Sequence, residues 1–147
     1  FIKEHLQGCF ASLQLGQYRQ SQFSIHECTL PNNWKGPSMV VPTTIEDQIF
    51  WAKRIGVVRL SRFVKGRNPT LSNRATLILK QIEDGNERGF ILLAAHFGSK
   101  APQEPTDKNL DTSNQSIEFW GSHAFVESHP HDAHSVTTKN PWTSTSR

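Results

Sequence analysis

Cysteine is scarce in this 147-residue chain. Cys9 and Cys28 are the only two, too few for a disulfide-built scaffold and without the paired spacing of a zinc site. Because disulfides are rare in reducing compartments, both are expected to be ordinary thiols. Long apolar runs are missing as well: no stretch approaches the roughly 18 consecutive apolar residues of a membrane-spanning helix, and mean hydropathy is −0.52. The expectation is a chain with no membrane partner and a cytoplasmic working compartment. No basic-then-apolar leader follows Phe1, as expected of a processed or truncated piece. With 35% apolar and 10% aromatic residues the chain can fill one core and not two. Residues 1–147 are therefore read as a single domain, with a Gln- and Ser-rich N-terminal segment over 1–37, a core over 38–142 and a polar tail over 143–147.

Acidic residues are absent from a whole central stretch. None lies between Asp47 and Glu83, whereas Lys53, Arg54, Arg59, Arg62, Lys65, Arg67, Arg74 and Lys80 fall there, half of the sixteen Lys and Arg. One reading is a solvated face whose acidic partners come from elsewhere in the fold. The other is a phosphate-binding surface, because Phe63, Gly66 and Pro69 interleave the cations of SRFVKGRNP in a loop-like composition. On that reading Arg62, Lys65, Arg67, Arg74 and Lys80 contact RNA phosphates, Arg through its bidentate fork.

The clearest pattern is a hairpin over about 74–97. RATLILKQI and GFILLAAHF are β-rich runs separated by EDGNER, and Asp84-Gly85-Asn86 is a turn signal. A turn centred near Asn86 makes paired residue numbers sum to about 171–173, which sets Thr76 and Arg74 beside His96 and puts Leu92 and Ala94 on the His96 side of the pleat. FSIHECTL predicts a strand over 23–30 that breaks at Pro31, and a short strand is expected over 38–41. Thr44 with Asp47 three residues on resembles a capping box and predicts a helix over about 45–55, closed by Gly56. A second helix is predicted over about 116–126, capped by Ser113 or Ser116, from the spacing of Ile117, Trp120 and Ala124. The fold class is α+β: a central hairpin packed against one or two helices.

His26 and His96 each interrupt a predicted strand, where a polar residue is either satisfied by a neighbour or catalytic. His129, His131, Asp132 and His134 carry enough donors for a borderline metal. Their spacing around Pro130 fits no structural zinc pattern, and the segment is read as an exposed tail with no metal.

The succession VVPTTIEDQIFWAKR, SRFVKGRNPTLSNRATLILKQ, GFILLAAHFGSKAPQEP, IEFWGSHAFV and KNPW, from Val40 to Trp142, resembles the layout of toxin-type bacterial ribonuclease domains of the barnase, EndoU, colicin and RelE-like group. The resemblance implies an antiparallel curved sheet packed on one or two helices, metal-independent RNA cleavage without a cofactor, and an immunity or antitoxin protein as partner. Members of that group often carry Thr or Tyr near the position of His96, a departure that leaves the base open. In such cleavage a base takes the 2'-hydroxyl proton, cations stabilise the phosphoryl charge and an acid protonates the leaving 5'-oxygen. His96 and His26 are the candidates for base and acid in either order, with Thr76 orienting the scissile group. Two other classes stay open: a non-catalytic RNA-binding module that stacks bases on exposed aromatics, and an interaction domain that docks an acidic protein.

Overall fold

Eleven alternating or apolar residues on either side of a two-residue turn make the longest ladder of the chain. In the computed structural model, which describes residues 23–31, 33–105 and 114–142, β7 (Arg74–Asp84) and β8 (Glu87–Phe97) form that hairpin. Gly85 takes the turn at φ +63°, a conformation open to Gly without steric cost. The register runs from Ala75 opposite Phe97 to Asp84 opposite Glu87, with one irregularity between Ile78 and Leu79. That shift places Leu92 opposite Leu79, so Leu92 leaves the His96 side of the pleat expected for it, and Ala94 stays.

The backbone contacts gather into two units: Phe1–Ser38 with Leu71–Lys100, and Met39–Thr70 with Ala101–Arg147. In the first unit the predicted N-terminal strand forms as β1 (Phe23–Thr29) and adds antiparallel to β7, giving the order β1-β7-β8. Short strands β2 (Gly36–Ser38) and β6 (Thr70–Ser72) form a second, two-stranded sheet. Leu30, Ala75, Leu77 and Leu79 make the core, with Cys28, Trp34, Phe90 and Phe97 against it. Leu77 and Leu79 are wholly buried, and burial of such a side chain contributes about 1.5–3 kcal/mol. Cys28 is disulfide-bonded, which corrects the expectation of an ordinary thiol; Cys9 lies outside the described residues.

The second unit holds a four-stranded sheet ordered β3-β9-β5-β4, from β3 (Val40–Pro42), β9 (His123–Val126), β5 (Leu60–Val64) and β4 (Ile49–Lys53). β5 and β9 run parallel and the other neighbours antiparallel, so the chain is α+β as expected, but the one curved antiparallel sheet becomes three sheets, one of them mixed. The register sorts its side chains. Phe50, Ala52, Ser61, Phe63 and Phe125 share one face, where they meet Trp120, and Val41, Val64, Ala124 and Val126 pack on the other.

The helix predicted over 45–55 is not formed. Thr44 and Asp47 do pair as the capping motif suggests, the Thr44 amide donating to the Asp47 carboxylate at 2.7 Å, but they close a single turn. Beyond it Ile49, Phe50 and Trp51 are β-branched or aromatic, and β4 is covered on both faces: Phe50 enters the aromatic core and Trp51 bridges Thr137 and meets the Trp142 ring edge-on. A helix would withdraw one of those faces. Gly56, at φ +78°, turns the chain between β4 and β5 instead of closing a helix.

The second predicted helix forms but is shorter: α1 covers Asn114–Ser122, and His123–Val126 become β9. Ser116 and Trp120, four residues apart, are its buried pair. The Trp120 indole N–H donates to the Pro102 carbonyl at 2.9 Å and the Ser116 hydroxyl to the Gln103 carbonyl, which ties the 101–105 segment to the helix. Ser122 ends it by donating back to the Phe119 carbonyl at 3.1 Å. Among the described residues no helix is long and apolar enough to cross a membrane.

Candidate active site

The residues singled out from sequence separate between the units. His26, Thr76, Arg74, Lys80 and His96 belong to the first, Arg62, Lys65 and Arg67 to the second. Within the first, Thr76 is opposite His96 and His26 is opposite Leu77. Successive residues of a strand face opposite sides, so His26 and His96 lie on opposite faces of the sheet and cannot act on one scissile bond from these positions. Thr76 is buried and donates its hydroxyl to the Gly98 carbonyl at 2.9 Å. His96 is exposed, yet desolvation by neighbouring atoms lowers its pKa, and burial lowers that of His26. Arg74 pairs with Glu27 at 2.7 Å, and Lys80 is exposed. Glu27 is held below the usual carboxylate range first by the Lys100 amide and then by Arg74.

In the second unit Arg62 lies on the sheet face opposite Phe63, and its guanidinium is taken up by the Thr43 hydroxyl at 2.9 Å and the His123 carbonyl at 3.0 Å. Arg67 donates to the Pro42 carbonyl at 3.0 Å and pairs with Asp47 at 3.5 Å. These arginines staple the 42–47 loop, in line with the reading that acidic partners come from outside the basic stretch. Lys65 stays exposed, with its ammonium 5.7 Å from the Phe50 ring centroid.

A different constellation forms at the end of the aromatic face. Arg54 follows β4 and Arg59 precedes β5 across their turn, and both reach Glu104 from the Pro-flanked 101–105 segment. The Arg54 Nη2 donates to Glu104 Oε2 at 2.9 Å. Arg59 Nε lies 3.2 Å from the same oxygen, an ion pair outside hydrogen-bond alignment. Glu104 is only 3% exposed, against 23% and 34% for the two arginine side chains. Its other oxygen, Oε1, is buried without a hydrogen-bond partner among the described residues. Native structures leave few such groups unpaired.

Two histidines complete the cluster, and the expectation of an exposed tail is corrected here. The segment after β9 runs back along β4: His131 bridges Arg54, the Asp132 amide donates to the Lys53 carbonyl at 2.7 Å, and Thr137 bridges Trp51. Asp132 accepts from the His134 amide at 2.9 Å and the Ser135 hydroxyl at 2.9 Å, which closes a short 3-10 turn over Ala133–Ser135. The His129 ring stacks on Phe125 at 5.0 Å, and the Arg54 guanidinium carbon lies 4.7 Å from that same Phe125 centroid. His131 packs on Phe63 at 4.8 Å and Phe50 at 5.5 Å. Burial first, and then the charge of Arg54, lowers the His129 pKa, with Glu104 pulling it back up. His129 therefore feels both charges of the ion pair. An unpaired carboxylate oxygen, two guanidinium groups and an imidazole are the kinds of group that general acid–base chemistry uses.

Glu104, Arg54, Arg59 and His129 were not singled out as a site from the sequence. The one available signal was a lone carboxylate between Pro102 and Pro105, set apart from the basic stretch that it neutralises. No protein-family model matches the chain, and no curated protein and no solved structure matches it either.

Proposed function

We propose that the chain is a metal-independent endoribonuclease whose active centre is the Glu104 cluster of the second unit. The observation that carries this reading is the division of labour on one buried carboxylate: both arginines converge on Oε2 and Oε1 is left unpaired, in a cluster whose His129 ring stacks on the Phe125 ring that also meets Arg54. Glu104 Oε1 takes the proton of the ribose 2'-hydroxyl, past the part-exposed Arg59 side chain. The 2'-oxygen then forms a bond to phosphorus and the bond from phosphorus to the 5'-oxygen breaks. Arg54 and Arg59 neutralise the charge on the phosphoryl oxygens, and protonated His129 gives its proton to the leaving 5'-oxygen. The products are a 2',3'-cyclic phosphate and a free 5'-hydroxyl. The exposed cations of the second unit, Lys53 and Lys65, supply sequence-independent attraction for the flanking phosphates.

Two further facts support the reading. The reacting groups follow or precede the paired strands β4, β5 and β9 or sit on the segment pinned by Trp120 and Ser116, so they are held in place before substrate arrives. A deoxy substrate lacks the nucleophile, so the reaction is specific for RNA by its own chemistry. The test is incubation of the chain with end-labelled RNA and its all-deoxy counterpart in excess EDTA. RNA cleaved to 2',3'-cyclic phosphate ends, with DNA intact, is the expected result. RNA bound but intact would overturn cleavage in favour of a binding module, and no interaction with RNA would overturn both.

A further inference from the structure

Ser61 is wholly buried on β5, in register with Ala52 of β4. Its hydroxyl accepts the Arg54 Nε–H at 3.0 Å, and Arg54 Nη2 donates to Glu104 at 2.9 Å. Both bonds leave from the same edge of the planar guanidinium, and its central carbon lies over the Phe125 ring, 4.7 Å from the centroid. Two bonds on one edge and a ring packed against the central carbon hold the group in place. Nη1, on the other edge, has no protein partner among the described residues, and a guanidinium presents five donors in all.

We propose that Ser61 is a positioning residue that locks the Arg54 guanidinium so that one edge serves Glu104 while Nη1 stays aimed at a phosphoryl oxygen. This rests on the ribonuclease reading and deepens it. The Ser61 hydroxyl is spent on the Arg54 Nε–H, so its influence passes through Arg54. Without the hydroxyl the guanidinium keeps a single bond, to Glu104, and rotates about it. A displacement of about 1 Å at a charge-stabilising group costs on the order of a hundredfold in rate. The loss falls on kcat more than on KM, because the flanking cations that gather the RNA are untouched.

The experiment compares the wild-type chain with Ser61→Ala, or with the isosteric Ser61→Cys if the alanine form does not fold. Two readouts are taken. In nitrogen–proton spectra the Arg54 Nε–Hε resonance, assigned by its loss in Arg54→Lys, is sharp and slow to exchange with water in the wild type and is broadened or lost in the variant. RNA cleavage in EDTA shows kcat lower by about ten- to a hundredfold, with KM within about threefold and the folded fraction unchanged. A variant that keeps wild-type kcat, or keeps a protected Nε–Hε signal, overturns the positioning role while leaving the ribonuclease reading intact. Wild-type protein that leaves RNA uncut sinks that reading and the catalytic role of Ser61 with it, whatever the spectra show.

Discussion

Replacing Glu104 by Gln tests the site at its centre, because it removes the charge and the proton-accepting oxygen while keeping the shape. The stability cost can be bounded from the geometry. Breaking a fully buried ion pair costs about 3–5 kcal/mol, but the arginine side chains are 23% and 34% exposed and regain water. The amide oxygen also still accepts from Arg54. About 1.5–3 kcal/mol, the worth of a hydrogen bond to a charged group, is the better figure. At about 2–4 °C per kcal/mol for a chain of this size, the melting midpoint falls by about 3–12 °C. Even from the low end of ordinary stabilities, about 5 kcal/mol, the variant retains about 2 kcal/mol and is only about 3% unfolded at 25 °C. Removing a general base lowers the rate by about 10²–10⁴-fold, so loss of folded protein cannot imitate loss of catalysis. The assay is single-turnover cleavage in EDTA of an oligonucleotide carrying one ribonucleotide, with circular-dichroism melts alongside. A folded Glu104→Gln protein that cleaves within about threefold of the wild type refutes the reasoning.

Other outcomes follow from the same structure. With His129 as the acid of the proposed mechanism, kcat/KM falls as pH rises through its pKa, which burial and Arg54 set below the ordinary 6.5; an alkaline limb above that value would mean another group delivers the proton. A histidine whose folded pKa is depressed stabilises the fold fully above its unfolded pKa, and that contribution is lost as pH falls toward the folded one. Urea midpoints measured from pH 7.5 downward therefore fall less steeply in His129→Gln than in the wild type. His96→Ala, at an exposed position in the first unit, leaves cleavage within about twofold of wild type; a loss of orders of magnitude in the folded variant would return the chemistry to that unit. Gly98→Ala is destabilising, since residue 98 has φ +109° and a Cβ there would stand 2.4 Å from the Ser38 hydroxyl. About 1–3 kcal/mol is expected for the backbone strain alone, and an unchanged urea midpoint would show that the strand ends yield.

Local signals carried a good part of the structure. β1, β7 and β8 were legible because their patterning repeats with period two and a Gly-containing turn lies between the long strands, and the register of the hairpin followed from that turn. The Thr44–Asp47 pair was legible as a contact and misleading as an element: the motif caps a turn whether or not a helix follows. Whether one does depends on which faces of Phe50 and Trp51 find cover. The helix predicted to run through Phe125 ends at Ser122 for a similar reason, since Ala124 and Val126 pack on one face of the sheet and Phe125 on the other, which helical spacing cannot supply.

Composition and spacing by themselves determined the hairpin, the basic stretch and the places where a histidine needs a reason. Only the tertiary structure decided which of those charges are free. Arg62 and Arg67 are used by carbonyls at strand ends, a hydroxyl and Asp47, whereas Arg54 and Arg59, alike in sequence, meet a carboxylate 45 or more positions further on. It also decided that His26 and His96 face apart while His129 shares an aromatic ring with Arg54. Strand alternation is a local property, but the residue that neutralises a charge, or stacks on a ring, comes from wherever the fold returns the chain.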